Sequence, residues 1–146
     1  MEKLQLHKIK PDKKIVIHHF SLDMGQAWPR IMEMFDETRF ANIELHIAML
    51  VGEPTQLGVN VPKEVEHWCK DTSTSLQRIK DSLPDIETNG KLSKLIVKQY
   101  KELPFCHGFT LVEPLNISYI SFCRWKSPTK YDWRDDNYLK IQKKTI

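Results

Sequence analysis

Apolar and polar positions change their period several times along this chain. Lys14–Phe20 (Lys-Ile-Val-Ile-His-His-Phe) is a short β-branched run of the length and composition of a buried strand. Ser21 or Asp23 is placed to cap a helix after it, and Pro29 fits a first helical turn. A helix is therefore expected from Pro29 to Phe40, with Ile31, Met34, Phe35 and Thr38 at helical spacing. Asn42–Val51 is a second strand, apolar on both faces in its second half, as in a sheet covered by helices. Gly52 and Pro54 end it, and the polar stretch 52–61 is placed to lie over a site.

The clearest periodicity lies between Pro62 and Leu83. Val65, Trp68, Cys69, Thr72, Leu76, Ile79 and Leu83 recur at steps of three and four, the stripe of a helix packed on one side. Asn60 is a candidate cap, and Pro84 is expected to stop the helix. The chain turns at Thr88-Asn89-Gly90. It then carries three β-rich runs, Leu95–Tyr100, Gly108–Glu113 and Ile117–Cys123, the last two joined tightly enough by Pro114-Leu115-Asn116 for a hairpin. Residues 1–12 read as a tail or an edge strand, and 124–146 as a polar, aromatic and charged C-terminal extension. The order β-α-β-α-β-β-β predicts a single α/β domain over 1–146. Its mixed sheet has a parallel core from the alternating elements and an antiparallel hairpin at the end.

Composition narrows the classes. One domain suits 146 residues, and 40% hydrophobic with 28% charged residues excludes a disordered chain. Five glycines exclude a collagen-like one, and no apolar stretch approaches a membrane span. The net charge of +3 permits nucleic-acid binding without arguing for it. Met1–Gln5 lacks the pattern of a secretion signal, and Cys69, Cys106 and Cys123 are odd in number and far apart. Reduced thiols in a bacterial cytoplasm are the expectation. No CxxC pair suggests zinc, no glycine-rich phosphate loop is present, and no cofactor or metal is implied.

The most distinctive chemistry lies between residues 103 and 125. His107 opens a strand, Glu113 closes it, a short turn follows, and the next strand ends in Ser121-Phe122-Cys123-Arg124. This resembles the second half of a phospholipase D-like unit. There, an H-x-K-x4-D motif runs along one strand and its exit, and a Gly-Ser-x-Asn-like element ends the next. The order of elements over 13–146 resembles the same fold, including the sensor domains of this type at the C-termini of some bacterial transcriptional regulators. The sequence departs from the motif at decisive places. Phe109 stands at the lysine position and Pro114 at the aspartate position, with Glu113 beside it. Ser121, Cys123 and Arg124 only loosely match the second element.

In that family a histidine attacks the phosphorus, a second histidine serves as acid, and lysines neutralise charge on the non-bridging oxygens. One preorganised donor of that kind is worth about 10²–10³ in rate, and a phenyl ring supplies none of it. The resemblance thus implies a non-catalytic ligand-sensing or interaction module for a phosphate-bearing or nucleotide-like ligand. A homodimer is also implied, because the fold pairs half-units around its site. The ligand-binding candidates are His107, Phe109, Ser121 and Arg124, with Asp23 and Trp28 after the first strand.

Two other readings compete. One is a divergent phosphodiesterase or nuclease using His107, with Arg124 as surrogate cation. The other is a nucleic-acid-binding accessory protein, in which Arg124, Trp125, Lys126, Lys130, Trp133 and Arg134 hold phosphates and stack bases. Asp132, Asp135 and Asp136 dilute that basic charge, so nucleic acid is not favoured. Plainer roles stand beside these: His107 as a hydrogen-bonded strand residue, Trp68 as core and His67 as solvated. Strand alternation sends His18 and His19 to opposite faces, so they cannot chelate one ion together, and it separates Cys106 from His107 in the same way.

Overall fold

The β-branched runs form strands and the three-four stripes form helices. In a computed structural model, β1 (Ile15–Phe20), α1 (Ala27–Glu37), β2 (Ile43–Leu50), α2 (Lys63–Asn89), β3 (Leu92–Tyr100), β4 (Cys106–Glu113) and β5 (Ile117–Phe122) follow in that order. A 3-10 turn at Pro54–Leu57 precedes α2, and β6 (Arg124–Ser127), β7 (Lys130–Asp132) and β8 (Tyr138–Gln142) close the chain. The structure describes residues 10–22, 24, 25, 27–37, 39–57, 61, 63–102, 106–122, 124–127, 130–132 and 138–142. Within these, the side chains of 34–37 and of every residue after 121 are not described.

The chain is a single α/β domain built on one mixed sheet, in the order β3-β2-β1-β4-β5-β8. β1, β2 and β3 run parallel, while β4, β5 and β8 are antiparallel to their neighbours. The parallel order 1-2-3 moves steadily outward, so right-handed crossovers place α1 and α2 on the same face. The core lies there. Ile15 and Ile17 of β1, Ile43, Leu45, Ile47 and Met49 of β2, and Leu111 of β4 pack with Trp28, Ile31, Ile79 and Ile86 of the helices. The Trp28 Nε1–H donates to Ser82 Oγ at 3.3 Å, tying α1 to α2. A smaller cluster, Leu50 with Val65, Trp68 and Cys69, seats the start of α2.

The loop after β1 is held from three directions. Leu50 N–H donates to the Leu22 carbonyl at 3.0 Å, Thr72 Oγ1 to the same carbonyl at 3.2 Å, and the Tyr100 hydroxyl to the Ser21 carbonyl at 2.8 Å. Ser21 Oγ in turn accepts the Met24 N–H at 3.1 Å.

Three features differ from the expectation. Helix α1 starts at Ala27 and ends at Glu37 rather than running from Pro29 to Phe40, but Pro29 still lies in the first turn, where its missing N–H costs nothing. Helix α2 does not stop at Pro84; it continues to Asn89. Burial outweighs the lost backbone hydrogen bond there, because Ile86 is buried in the core whereas Leu83 is exposed. The Thr88 hydroxyl donates to the Pro84 carbonyl at 2.9 Å, and Gly90, at φ 73°, ends the helix by donating to Ile86 O at 3.1 Å. Finally, the expected C-terminal extension contains β8, which pairs with β5 and extends the sheet, and a small β6–β7 ribbon. Its polar composition hid these strands.

Candidate functional site

Two helices cover one face of the sheet; among the described residues no helix packs on the other. Strand alternation decides what that second face carries. Ile15, Ile17, Leu45 and Ile47 point to the helices, so their neighbours Glu44, His46 and His18 point away, as do Lys94, Ile96 and Lys98 of β3. On β4 and β5 the same parity gives Cys106, Gly108, Thr110, Ser118 and Ile120 to the uncovered face. A cavity of about 450 Å³ lies over these positions, lined by His18, Phe20, His46, Ala48, Ile96, Lys98, Cys106, Gly108, Thr110 and Ile120, with the intervening His19, Ile47, His107 and Phe109. Its walls are mainly aliphatic and aromatic, with a few polar groups, which is how small-molecule sites are commonly built.

Gly108 shapes the floor. Its φ is 155°, and a Cβ there would overlap the Tyr119 carbonyl oxygen on the adjacent strand. Only glycine lets β4 and β5 approach at this point.

A polar row crosses the sheet at the next level. The Ser118 and Thr110 hydroxyls are hydrogen-bonded at 2.7 Å; Thr110 is the cross-strand partner of His18, and His18 that of His46. The two imidazoles lie with ring centroids 4.4 Å apart. The His46 Nε2–H donates to Glu44 Oε2 at 2.8 Å, fixing the ring's orientation. The ammonium groups of Lys14 and Lys94 flank the same carboxylate at 3.7 and 3.9 Å.

This arrangement sets the charges. The His46 hydrogen bond holds the Glu44 carboxyl below its usual range, with Lys14 and Lys94 adding to the effect and burial opposing it. Burial lowers the His18 pKa, the neighbouring His46 lowers it further, and Glu44 partly offsets both. Two unit charges at the 4.4 Å ring separation repel by about 1–4 kcal/mol, between bulk-water and near-surface screening. Doubly charging the pair is therefore disfavoured. Burial also raises the Cys106 thiol pKa, which argues against a reactive thiolate in this cavity. Among the described residues no group of three or more His, Cys, Asp or Glu could hold a metal ion.

The residues singled out from the sequence divide between places. His107, Phe109 and Ser121 share one face: His107 pairs with Ser121 and Phe109 with Tyr119 across β4–β5. It is the core-bearing face, because Leu111 of the same strand lies in the helix-covered core. His107 and Phe109 border the cavity, but their side chains leave from the other side of the sheet. The Phe109 ring stacks on His19 at 6.2 Å and contacts Tyr119 at 5.4 Å. The position at which the phospholipase D-like motif carries lysine is therefore filled by aromatic packing. Ser121 is fully buried, and its Oγ has no hydrogen-bond partner among the described residues. His19 is half-buried on this face; burial, then the nearby His107, push its pKa down to about 4.

Trp28, also singled out as a pocket residue, is a core residue of α1 whose indole is taken up by helix packing, and it does not line this cavity. Asp23, Trp133 and Arg134 lie outside the described residues, as does Cys123. Arg124, Trp125 and Lys126 are placed on β6 and Lys130 on β7 by their backbone alone.

His46, Glu44 and Lys98 carry no motif in the sequence, and His18 enters there only beside His19 as a metal-ligand candidate. A signal existed: Ile43-Glu44-Leu45-His46-Ile47 alternates strictly, and the polar member of such an alternation names the face away from the core. Comparison with protein-family models, curated proteins and solved structures finds no match to this chain.

Proposed function

We propose that this chain is a non-catalytic ligand-binding module whose uncovered sheet face takes a small anionic molecule with an apolar body. A phosphate-bearing or nucleotide-like compound is the first class to consider. The observation that carries this reading is the cavity of about 450 Å³, in which His18, His46 and Lys98 accompany Phe20, Ile96 and Ile120. The cationic side supplies the head-group site, and the aromatic and aliphatic side supplies the area from which most affinity would come.

The phospholipase D-like resemblance enters as a fold-level analogy, supported by the strand succession and by His107 lying opposite Ser121. Its catalytic half is unsupported. Phe109 offers no charge to a phosphoryl oxygen, and the His107 side chain leaves the sheet on the face opposite His18, His46 and Lys98.

The test is calorimetric titration with a panel of mononucleotides, cyclic nucleotides and aryl carboxylates, using wild type, Lys98→Glu and His107→Asn. Binding that Lys98→Glu weakens at least tenfold is the expected result. A larger loss in His107→Asn than in Lys98→Glu would move the site to the covered face and sink the reading. Turnover of a phosphodiester that His107→Asn abolishes would make the protein an enzyme.

A further inference from the structure

A binding face built around two adjacent imidazoles also stores a proton balance. Resting on the ligand-binding reading above, we infer that anion binding is proton-linked: the His18–His46 pair takes up one proton when an anionic head group settles between it and Lys98. The geometry limits the count to one. The rings are 4.4 Å apart, so a charge on either opposes a charge on its neighbour. Glu44 accepts from His46 at 2.8 Å and fixes that ring beside His18.

The surroundings fix the direction. Among the described side chains, those facing the pair are Lys14 just before β1, Glu44 on β2, Lys94 and Lys98 on β3, and the Cys106 thiol on β4, with Ser118 and Ile120 on β5. Lys14 and Lys94 are already drawn to Glu44, at 3.7 and 3.9 Å. Without a ligand, partial desolvation and His46 keep His18 neutral to lower pH than a fully solvated histidine. A bound anion reverses that preference by favouring the imidazolium, so the pair's pKa is higher in the complex than in the free protein. Affinity then increases as pH falls from the complex's pKa to that of the free protein, and levels off below it. The slope approaches tenfold per pH unit for one proton. A phosphate monoester would blur this, since its own second ionisation lies at about 6. The head-group chemistry required is a single anionic charge on oxygen, from a phosphodiester or a carboxylate.

The experiment uses the full chain and two probes that keep one charge between pH 5.5 and 8: adenosine 3′,5′-cyclic monophosphate and 2-naphthoate. Isothermal titration at pH 6.5 in PIPES and in Bis-Tris, whose ionisation heats differ, counts the protons exchanged; repeats from pH 8 to 5.5 give the affinity slope. Uptake of a substantial fraction of one proton, with affinity rising several-fold as pH falls from 7.5 to 6.5, is expected with whichever probe binds. The binding probe identifies the head group as phosphodiester or carboxylate. Binding with flat affinity and no buffer dependence overturns the proton linkage and leaves the ligand-binding reading standing. Failure of both probes to bind overturns both. His18→Gln and His46→Gln, checked for folding by thermal unfolding, should each reduce the uptake measured with the binding probe. Full uptake retained in both variants would place the proton elsewhere and refute the inference.

Discussion

His19 makes acid a specific denaturant of this fold. An unfolded histidine protonates near 6.5, whereas burial and the adjacent His107 push His19 to about 4 in the folded chain. Above 6.5 both states are neutral and His19 costs nothing. Between 6.5 and 4 the unfolded state binds the proton first, so stability falls with pH; below 4 both are charged and the loss is complete. A gap of about 2.5 pH units at 1.36 kcal/mol each makes the full loss about 3 kcal/mol. For a chain of this size that corresponds to a fall in Tm of roughly 6–12 °C. Urea unfolding of wild type and His19→Gln at intervals from pH 7.5 to 4 isolates this contribution. Glutamine cannot be charged, so the difference between the two proteins should shift by about 3 kcal/mol toward the variant as pH falls. Wild type and variant losing stability in parallel would refute the reasoning. The acid sensitivity would then belong to groups such as His18, also depressed by burial, or Glu44.

Other outcomes follow from single positions. Gly108→Ala should cost about 2 kcal/mol or more, from the clash with the Tyr119 carbonyl and the positive φ, and should remove binding at the cavity floor; denaturant midpoints check the first part and titration the second. Ile86→Ala should destabilise by about 2–5 kcal/mol and Leu83→Ala by well under half of that; equal losses would mean that α2 does not pack beyond Pro84. Trp28→Phe should lose about 1 kcal/mol through the indole bond to Ser82, and Ser82→Ala should add little in the double variant if that bond is the cause.

The elements that were legible in the sequence are those with a strong period and a partner on one side only. Lys14–Phe20 and the Val65–Ile79 stripe declared themselves because burial selects apolar residues at fixed steps, and β1 and α2 are where that pattern placed them. Helix α2 outran its expected end because a local rule, proline as helix breaker, was outweighed by a tertiary one, the burial of Ile86. β8 was illegible because an edge strand needs no apolar alternation when it is held by main-chain bonds to β5. The candidate site followed a different logic. The motif-like residues His107, Phe109 and Ser121 do lie together on one face of β4 and β5. Strand alternation alone does not tell which face they occupy; the side on which the helices pack does. That assignment turns His18, Glu44, His46 and Lys98 from scattered polar residues into neighbours, although 80 positions separate His18 from Lys98 in the chain.

β1 is the first strand among the described residues, yet it occupies a central place in the sheet, between β2 and β4. During synthesis its second edge has no partner until Gly108–Glu113 have left the ribosome, roughly ninety residues later. At ~5–20 residues per second that wait lasts about 5–20 s. Ile15-Val16-Ile17 spends it as an unpaired, β-branched edge, the kind of segment that adds strands from other chains. The gatekeepers are close by: Lys13 and Lys14 precede the run and His18-His19 follow it. On this account the lysines at the start of β1 protect the nascent chain as well as serving the finished sheet, and replacing Lys13 and Lys14 with alanine should lower soluble yield before it lowers the stability of the folded protein.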